Sequence, residues 1–403
     1  MSKHVVILGA GYAGLRALHE LQKEKKDIKI TLVDQNDYHF EATDIHEVAA
    51  GIQTAERITY PIKDVVKTSC TNFVQGRVEK IDSTKQLVHL KDIAPLSYDY
   101  LIVALGYESE SFGIKGVEEY SLKMVDIPTS EKVYQHLTAQ MERYKQTKDE
   151  NCLKIVVCGA GFTGIELLGS LVEGKKKLAK IADVEPEKIQ LYCVEAVTRL
   201  LPMFSEKLGG YGIDHLKKWG VQFLVGKPIK EIKENTVVYL DDQETNTLNE
   251  LVANTIIWTT GVSGSHVVGD SGFSERRGRV MVQANLTDPD HDNVYIIGDC
   301  SAVMDQETNR PYPTTAQISL KMGAHAGKNI LAQIKGEPTK DFTFKSLGSV
   351  ASIGNSHAFG EVGKIEVKGY PASVIKKAIL DRSLFETGGV KEVLAKGRFD
   401  FYR

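Results

Sequence analysis

A glycine-rich turn between an apolar run and a helical pattern occurs twice in this chain. The first copy, at residues 9–14, reads GAGYAG, and the second, at residues 159–164, reads GAGFTG. Each helical pattern is followed by another apolar run that ends in an acidic residue, Asp34 in the first copy and Glu195 in the second. This order of strand, turn, helix and strand predicts two Rossmann-like dinucleotide-binding units in an α/β chain.

Each residue type in this pattern has a physical reason for its place. The first glycine allows the tight bend, the second lets backbone approach a pyrophosphate, and the third lets the helix pack closely on the strand. The helix N-terminus presents unpaired N–H groups to the phosphates. The acidic strand end can accept hydrogen bonds from a ribose diol. One such turn could serve only to close a doubly wound sheet, but two in matching contexts predict two bound dinucleotides.

The second copy departs from the usual pattern in one respect. The gap between Gly159 and Glu195 is longer than the usual distance of about 20 residues. In addition, Arg199 lies close enough in sequence to attract a ribose 2′-phosphate. A carboxylate at Glu195 would repel that phosphate, so the sequence favours NADH over NADPH as the ligand of the second unit.

Later apolar runs indicate how the chain is divided. DYLIVALG and NTIIWTTG each provide a returning strand for one unit, and NVYIIGDC precedes a helical segment that returns to the first unit. The predicted units are residues 1–120 together with 290–340, residues 121–289, and a C-terminal region at 341–403. Residues 125–150 are predicted to form a charged surface helix and linker between the repeats.

Charge, hydropathy and cysteine usage exclude several classes of protein. A formal net charge of −3 gives no support for nucleic-acid binding. The first residues run directly into an apolar strand, which leaves no room for a signal peptide and predicts a cytoplasmic chain. No segment reaches the roughly 18 consecutive apolar residues of a spanning helix. The five cysteines have no CxxC or CxxxxC spacing, so we expect neither a metal site nor disulfide chemistry beside the cofactor.

Several segments resemble one family of flavoproteins over essentially the whole chain. They are GAGYAGL, DYHFEAT, LIVALG, GAGFTGIE, LPMF, IGDCSA and TTAQISLKMG. In this order they resemble the type II NADH:quinone oxidoreductases, which are single-subunit respiratory dehydrogenases that do not pump ions. The resemblance implies that NADH passes a hydride to bound FAD and that two electrons then reach a membrane quinone, either menaquinone or ubiquinone. It also implies a homodimer.

The same resemblance assigns roles to individual residues. The implied FAD contacts are Gly9, Ala10, Gly11, Tyr12, Ala13, Gly14, Asp34, Gln35, Val78, Gly298, Asp299, Ala316, Gln317 and Lys376. The expected NADH contacts are Gly159, Gly161, Gly164, Glu195 and Gly261. Glu166 matches a catalytic glutamate of the family, and Gln317 is implied to reach the quinone as well as the flavin.

Three side chains of this set, Glu166, Gln317 and Lys376, also have simpler interpretations. A carboxylate such as Glu166 near the start of a helix is favoured by the helix dipole in any case. Gln317 could be a polar residue at a helix N-terminus that bonds only to backbone. Lys376 could be an ordinary solvated lysine. These alternatives stay open on the residues alone.

The last part of the chain is basic and periodically apolar. Residues 367–403 contain eight Lys or Arg against four acids. Its apolar positions are Val374, Ile375, Ala378, Ile379, Val390, Val393 and Leu394. This pattern is compatible with short amphipathic helices on an anionic membrane surface, and equally with a helix packed on the body of the protein with a solvated basic face. The family resemblance favours a peripheral position on the cytoplasmic side of the cell membrane.

Two other functions share much of this pattern. A ferredoxin- or rubredoxin-type reductase would have the same two units but would dock a protein at a basic surface. A flavin-bearing protein could also bind NADH with little turnover. Sulfide:quinone oxidoreductase is disfavoured because no suitable pair of cysteines is visible.

Overall fold

The computed structural model describes residues 2–24, 28–242, 244–305 and 308–399. The α-helices in this part of the chain are α1 (Tyr12–Leu21), α2 (Ile45–Ala49), α3 (Val117–Tyr120), α4 (Ile127–Thr147), α5 (Phe162–Ala182), α6 (Glu206–Lys218), α7 (His266–Asp270), α8 (Ala316–Ile334) and α9 (Tyr370–Lys396). Short 3-10 helices cover Ala42–Asp44, Ala55–Arg57, Ile62–Asp64, Glu150–Leu153, Pro186–Lys188 and Gly298–Cys300. Helices and sheets together build two related α/β units and a C-terminal region.

The first unit is built on a six-stranded sheet. In spatial order its strands are Thr287–Asp288, His291–Ile296, Tyr100–Val103, Lys3–Leu8, Ile28–Asp34 and Thr71–Gln75. All neighbours are parallel except the short edge strand at Thr287–Asp288. Residues 5–8 are fully buried, as expected of a parallel strand that is covered on both faces.

The second unit repeats this arrangement with five parallel strands. In spatial order they are Leu122–Lys123, Thr255–Trp258, Lys154–Cys158, Gln190–Glu195 and Val221–Val225. The helix after its glycine turn, α5, has 21 residues, whereas α1 has 10. The additional residues between Gly159 and Glu195 therefore lengthen helix α5. Glu195 still ends the strand beside the glycine turn, as Asp34 does in the first unit.

Smaller sheets surround these two cores. The three-stranded ones are Val78–Asp82 with Leu87–Leu90 and Ile93–Ser97, Ile229–Lys233 with Thr236–Asp242 and Thr247–Val252, Glu275–Arg276 with Arg279–Met281 and Ser301–Ala302, and Gly348–Ser352 with Ala358–Val362 and Ile365–Gly369. The two-stranded ones are Tyr38–Phe40 with Thr59–Pro61, Tyr107–Ser109 with Val262–Gly264, and Met304–Asp305 with Arg310–Pro311.

The chain returns to the first unit earlier than the predicted residue 290. Strand Val262–Gly264 pairs with Tyr107–Ser109, and the following helix α7 packs into the core of the first sheet through Val267 and Val268. The backbone N–H of Ile81 also donates to Ser271 Oγ at 2.8 Å. This segment has no periodic pattern in the sequence, because its strands have only two or three residues.

The helix between the repeats is less exposed than the predicted surface linker. In α4 the side chains of Val133, Leu137 and Met141 are fully buried in the core that also contains α5. Asp126 caps its start, since Asp126 Oδ1 accepts from the backbone N–H of Thr129 at 2.9 Å. Helix α4 therefore supports the second unit as a packed element and leaves only its outer face charged.

The C-terminal helix is one long run with a break. Gly389 lies inside α9 with φ 74° and ψ −169°, so it interrupts the helical backbone where the apolar pattern of the sequence suggested separate helices. Of the basic segment, Asp400 and Arg403 lie outside the described residues. No helix in the described part of the chain is both long enough and apolar enough to span a membrane.

Candidate functional site

A cavity of about 430 Å³, which we call the outer cavity, runs along the first glycine turn. Its wall includes the predicted FAD contacts Gly9, Gly11, Tyr12, Ala13, Asp34, Gln35, Val78, Gly298 and Asp299. Helix α1 begins after Gly11, and no side chain caps it, so no side chain takes up its first N–H groups. A Cβ on Gly14 would lie 1.9 Å from the Gly9 carbonyl oxygen, whereas a Cβ on Gly11 would meet nothing within 4 Å. Gly14 thus serves close packing, and Gly11 leaves space for a ligand.

The two acidic strand ends have the same geometry in the two units. Asp34 Oδ2 accepts from the backbone N–H of Ala10 at 2.7 Å, and Glu195 Oε2 accepts from that of Ala160 at 2.7 Å. Burial raises the pKa of Asp34, and hydrogen bonds from backbone N–H groups partly offset this effect. The Arg199 guanidinium donates to the carbonyl of Phe204 at 3.1 Å and so already has a protein partner.

The first cavity fits the adenosine diphosphate half of a dinucleotide. It is lined by an uncapped helix N-terminus, by open space at Gly11 and by a carboxylate at the end of the second strand. At the other end of the cavity, burial raises the pKa of Asp299, with Arg279 acting against this shift. These features suit a long ligand with phosphates in its middle and hydroxyl groups toward its ends.

The second glycine turn repeats the first in detail. Helix α5 begins after Gly161 without a side-chain cap, and a Cβ on Gly161 would meet nothing within 4 Å. A Cβ on Gly164 would lie 2.0 Å from the Gly159 carbonyl oxygen. The second unit therefore has the same features that suit a pyrophosphate in the first.

A second cavity, of about 390 Å³, continues from the first, and we call it the inner cavity. Both cavities are lined by Tyr12, Ala42, Tyr107, Asp299 and Ser319, so together they form one cleft. The inner part brings together residues from the start of α5, the end of the second sheet, the start of α8 and the body of α9. The predicted site residues on its wall are Glu166, Gly261, Ala316, Gln317 and Lys376.

Glu166 and Lys376 form a buried ion pair in the inner cavity. The Lys376 Nζ lies 2.9 Å from Glu166 Oε1, which also accepts from the backbone N–H of Ser352 at 3.0 Å and from its hydroxyl at 3.2 Å. Burial opposes the charge on Glu166, but Lys376, His46 and the Ser352 N–H outweigh it and lower its pKa. Burial likewise opposes the charge on Lys376, and Glu166 outweighs it and raises the pKa of the amine.

Both shifts favour the ionised forms, so the two groups form a salt bridge at neutral pH. Lys376, with a side chain only 12% exposed, is therefore not an ordinary solvated lysine. Glu166 lies beyond the first turn of α5, which has no acidic residue, so the helix dipole contributes less to its placement than the sequence suggested.

Gln317 has backbone partners and also lies on the cavity wall. Its Oε1 accepts from the N–H of Leu347 at 2.9 Å, and its Nε2 donates to the Gly348 carbonyl at 3.5 Å. The start of α8 is capped by Thr315, whose hydroxyl accepts from the Ile318 N–H at 3.4 Å. The simpler interpretation of Gln317 as a residue bonded to backbone agrees with this geometry, and its position leaves contact with a ligand open.

Two polar residues of the site were missed on the sequence. Ser352 holds Glu166 from the C-terminal sheet, and His46, on α2, lies in the inner wall with Nδ1 2.8 Å from Ser170 Oγ. His46 lies in the segment EATDIHE, and no spacing in the sequence marked it as a site residue. No short-range pattern could have linked Ser352 to Glu166.

All five cysteines of the chain lie in its described part and are free thiols. Four of them are buried, and only Cys70 is partly exposed. None of the five lines the outer or the inner cavity.

The first glycine turn and the start of the helix that follows the second glycine turn line one cleft, with an ionised pair at its inner end. These features define a class of protein. They are typical of oxidoreductases with two dinucleotide-binding domains. Residues 3–323 match the pattern of the pyridine nucleotide-disulphide oxidoreductase family, which is this class.

Curated relatives narrow the class further. A type II NADH:quinone oxidoreductase of Staphylococcus saprophyticus is 39% identical over 402 residues, which cover 98% of this chain and 99% of the relative. The protein of the same name from Staphylococcus aureus strain MSSA476 is 38% identical over 401 residues, with the same coverage. The chain belongs to the type II NADH:quinone oxidoreductase family.

Solved structures support the fold independently. NDH2 from Plasmodium falciparum, solved in complex with NADH, matches with a TM-score of 0.84 at 17% identity and covers 100% of both chains. The sulfide:quinone oxidoreductase of Aquifex aeolicus matches with a TM-score of 0.78 at 20% identity, over 96% of this chain and 92% of that one. At these identities the matches concern the fold alone.

Proposed function

We propose that this protein oxidises NADH and reduces a membrane quinone through bound FAD, without moving ions across the membrane. One observation carries the proposal: a single cleft joins the first glycine turn to the start of α5 and to the Glu166–Lys376 pair. The relatives named type II NADH:quinone oxidoreductase support it. Bound FAD would accept a hydride and release electrons one or two at a time, which is chemistry that side chains do not supply.

In this proposal the outer cavity holds the FAD. The N–H groups at the start of α1 would bind the pyrophosphate, Asp34 the adenosine ribose, and Asp299 the chain that leads to the flavin ring. Gln35 and Val78 lie on the wall where the adenine end would be. The protein thus contributes binding and orientation.

Three side chains at the inner end of the cleft would take part in quinone reduction. The ionised Glu166 fixes the Lys376 ammonium, which can donate a proton to the reduced quinone oxygen. All described protein donors to Glu166 reach Oε1, so Oε2 keeps its capacity to accept a proton or a hydrogen bond. Gln317, beside Ala316, would contact the ring of the quinone and the flavin.

Glu195 would determine the preference of the second unit for NADH over NADPH. We expect Glu195→Ala to raise the KM for NADH about tenfold or more, because a hydrogen bond to a charged group contributes about 1.5–3 kcal/mol. The same change removes a charge that would repel a 2′-phosphate, so kcat/KM for NADPH should rise relative to NADH. Steady-state kinetics with both nucleotides measure this. Glu185→Ala, at an exposed loop position of the same unit, is the matched control.

An unchanged ratio of NADPH to NADH activity in the Glu195→Ala protein would contradict this placement. It would mean that the carboxylate serves only the backbone N–H groups of Ala160 and Val197, to which it is bonded.

Reduction of a soluble quinone analogue by purified protein and NADH tests the proposed function. We expect multiple turnovers with quinone and none that depend on an added ferredoxin or rubredoxin. Turnover only in the presence of such a carrier protein would favour the alternative reductase. Slow reoxidation with every quinone tried would indicate a flavin-bearing binding protein.

The last part of α9 would contact the membrane surface. After the break at Gly389, Val390 and Leu394 are 62% and 73% exposed, and Lys391 and Lys396 lie near them in sequence. Exposed apolar side chains of this size beside lysines suit an anionic lipid surface on the cytoplasmic side. A homodimer is also part of the proposal, by the resemblance to the family.

We expect the double substitution Val390→Ser and Leu394→Ser to weaken binding to anionic vesicles by about tenfold or more, since burying each such side chain contributes about 1.5–3 kcal/mol. Co-sedimentation with vesicles of anionic phospholipid measures the effect. Leu248→Ser is the control, because Leu248 is 54% exposed on a sheet of the second unit. Equal sedimentation of the double variant and the control would contradict the docking face.

A further inference from the structure

Behind the Glu166–Lys376 pair lies a second buried ionic group, formed around Arg398. The Arg398 side chain is buried, and its Nη2 lies 3.0 Å from Asp44 Oδ2 and also pairs with Glu47 Oε2. Its backbone N–H donates to Asp381 Oδ1 at 2.6 Å. Arg398 is thereby fixed both to the start of α2 and to α9.

The two ionic groups share one electrostatic environment. Asp44 is the residue before α2, and Glu47 lies in the first turn of that helix. The charges on both carboxylates contribute to the raised pKa of Lys376. Three carboxylates, including Glu166, therefore lie around two cations, Lys376 and Arg398.

This balance depends on Arg398. A buried carboxylate without a cation is costly, so without Arg398 both Asp44 and Glu47 would compete with Glu166 for Lys376. Burial already raises the pKa of Glu47 above its usual range, although Arg398 acts against it. Removal of Arg398 would take away the cation that opposes this rise, so Glu47 would either take up a proton or, where it stays ionised, draw Lys376 away from Glu166 together with Asp44.

We propose that Arg398 is a positioning residue for quinone reduction: by pairing with Asp44 and Glu47 it keeps Lys376 on Glu166 at the inner end of the cleft. The inference rests on the proposed function, because it assigns the Glu166–Lys376 pair to the quinone step. Arg398 lies far from Glu166 in sequence and does not line the inner cavity. It acts through Asp44, Glu47 and Lys376.

Other charged groups face this cluster and limit how it titrates. His46 on α2 lies near both Glu166 and Glu47, and its positive charge would lower the pKa of each. Asp381 on α9 is bonded to the Arg398 backbone. Glu41 lies on the wall of the small cavity beside Arg398 and accepts from the Tyr12 hydroxyl. Arg57 and Lys396 also line this small cavity, but Arg57 donates to the carbonyls of Lys396 and Gly397, and Lys396 donates to the carbonyl of Glu56.

The expected sign of a pH effect follows from these contacts. In the native protein Lys376 keeps the pKa of Glu166 low, so the pair stays ionised as the pH falls through the neutral and mildly acidic range. Without Arg398, Lys376 is shared with other carboxylates, and the pKa of Glu166 rises because burial is no longer outweighed. The pH below which quinone reduction slows should therefore move upward.

The experiment follows the two half-reactions of the holoenzyme separately by flavin absorbance between pH 5 and 8. For Arg398→Gln we expect reduction by NADH to match the native protein. Reoxidation by a soluble quinone analogue should be about tenfold slower at the lowest pH values of this range. The pH below which its rate falls, which we call the acid limb of the profile, should move up by about one pH unit. Arg398→Lys, which keeps a cation, should restore most of the native profile.

Two further variants keep the test interpretable. Arg398→Gln combined with Glu47→Gln removes the excess carboxylate, so it should recover the native acid limb and should also fold if the single variant does not. Arg382→Gln is the matched control, because Arg382 is on α9 but its side chain is 51% exposed and forms a local ion pair with Glu386, four residues further along the helix.

The outcomes separate this inference from the function on which it rests. A native pH profile in Arg398→Gln, or an equal loss in both half-reactions, would overturn the positioning role. Absence of recovery in the double variant would overturn the charge-balance argument. Failure of the native protein to reduce any quinone would instead overturn the proposed function.

Discussion

Gly14→Val should yield a protein that purifies without flavin. A Cβ at this position would lie 1.9 Å from the Gly9 carbonyl oxygen, and backbone cannot move aside as a flexible side chain would. The start of α1 must then separate from the glycine turn, which displaces the N–H groups that would bind the pyrophosphate. Because such overpacking costs up to about 3 kcal/mol, FAD affinity should fall by up to about a hundredfold.

The flavin-to-protein absorbance ratio after purification and a titration with added FAD measure this loss. Gly210→Ala is a suitable control, because Gly210 is in helix α6 and a Cβ there would meet nothing within 4 Å. The control should retain its flavin. Full flavin occupancy in Gly14→Val would contradict the assignment of the first turn to FAD.

Glu166→Gln should separate the two halves of the reaction. Glutamine cannot balance the charge of the buried Lys376, so the amine loses the partner that fixes it in the inner cavity. We expect reduction of the flavin by NADH to stay within a few-fold of the native rate. Reoxidation by quinone should slow by at least about a hundredfold, the lower range for a positioned proton-transferring group.

Single-turnover flavin absorbance measures both rates, and isothermal titration gives the affinity for NADH. Glu173→Gln is the matched control: Glu173 lies on the same helix, and its carboxylate accepts from the Asn355 N–H at 2.6 Å without lining the inner cavity. Native quinone activity together with unchanged NADH affinity in Glu166→Gln would rule out a role for Glu166 in holding the proton donor Lys376 for quinone reduction.

Much of the fold was predictable because it rests on local patterns. The strands before both glycine turns are continuous apolar runs buried on both faces, and such runs are visible without any partner. The two glycine turns and the acidic strand ends were predictable for the same reason. The class and the two cofactors could therefore be inferred from short segments.

The inner cavity was harder to predict because its residues meet only in three dimensions. Glu166 and Lys376 are on different helices and are held together by packing of the C-terminal sheet, including the Ser352 N–H. Family resemblance pointed to both residues, but periodicity could not pair them. Arg398 has no local signal at all, since its partners Asp44 and Glu47 are near the other end of the chain.

The early return of the chain to the first unit was missed for a different reason. The segment that contains Val267 and Val268 has a five-residue helix between strands of two or three residues. Such short elements have no repeat long enough to indicate which core they join. Only the contacts with Ile81 and its neighbours place them in the first unit.

The central claim is that electrons pass from NADH to bound FAD and then to a quinone. Anaerobic stopped-flow absorbance tests it most directly: the purified holoenzyme is mixed with NADH and then with a soluble quinone analogue. We expect NADH to bleach the flavin faster than NADPH, and quinone to restore its absorbance faster than oxygen. A flavin that NADH reduces but that no quinone reoxidises faster than oxygen would contradict the claim.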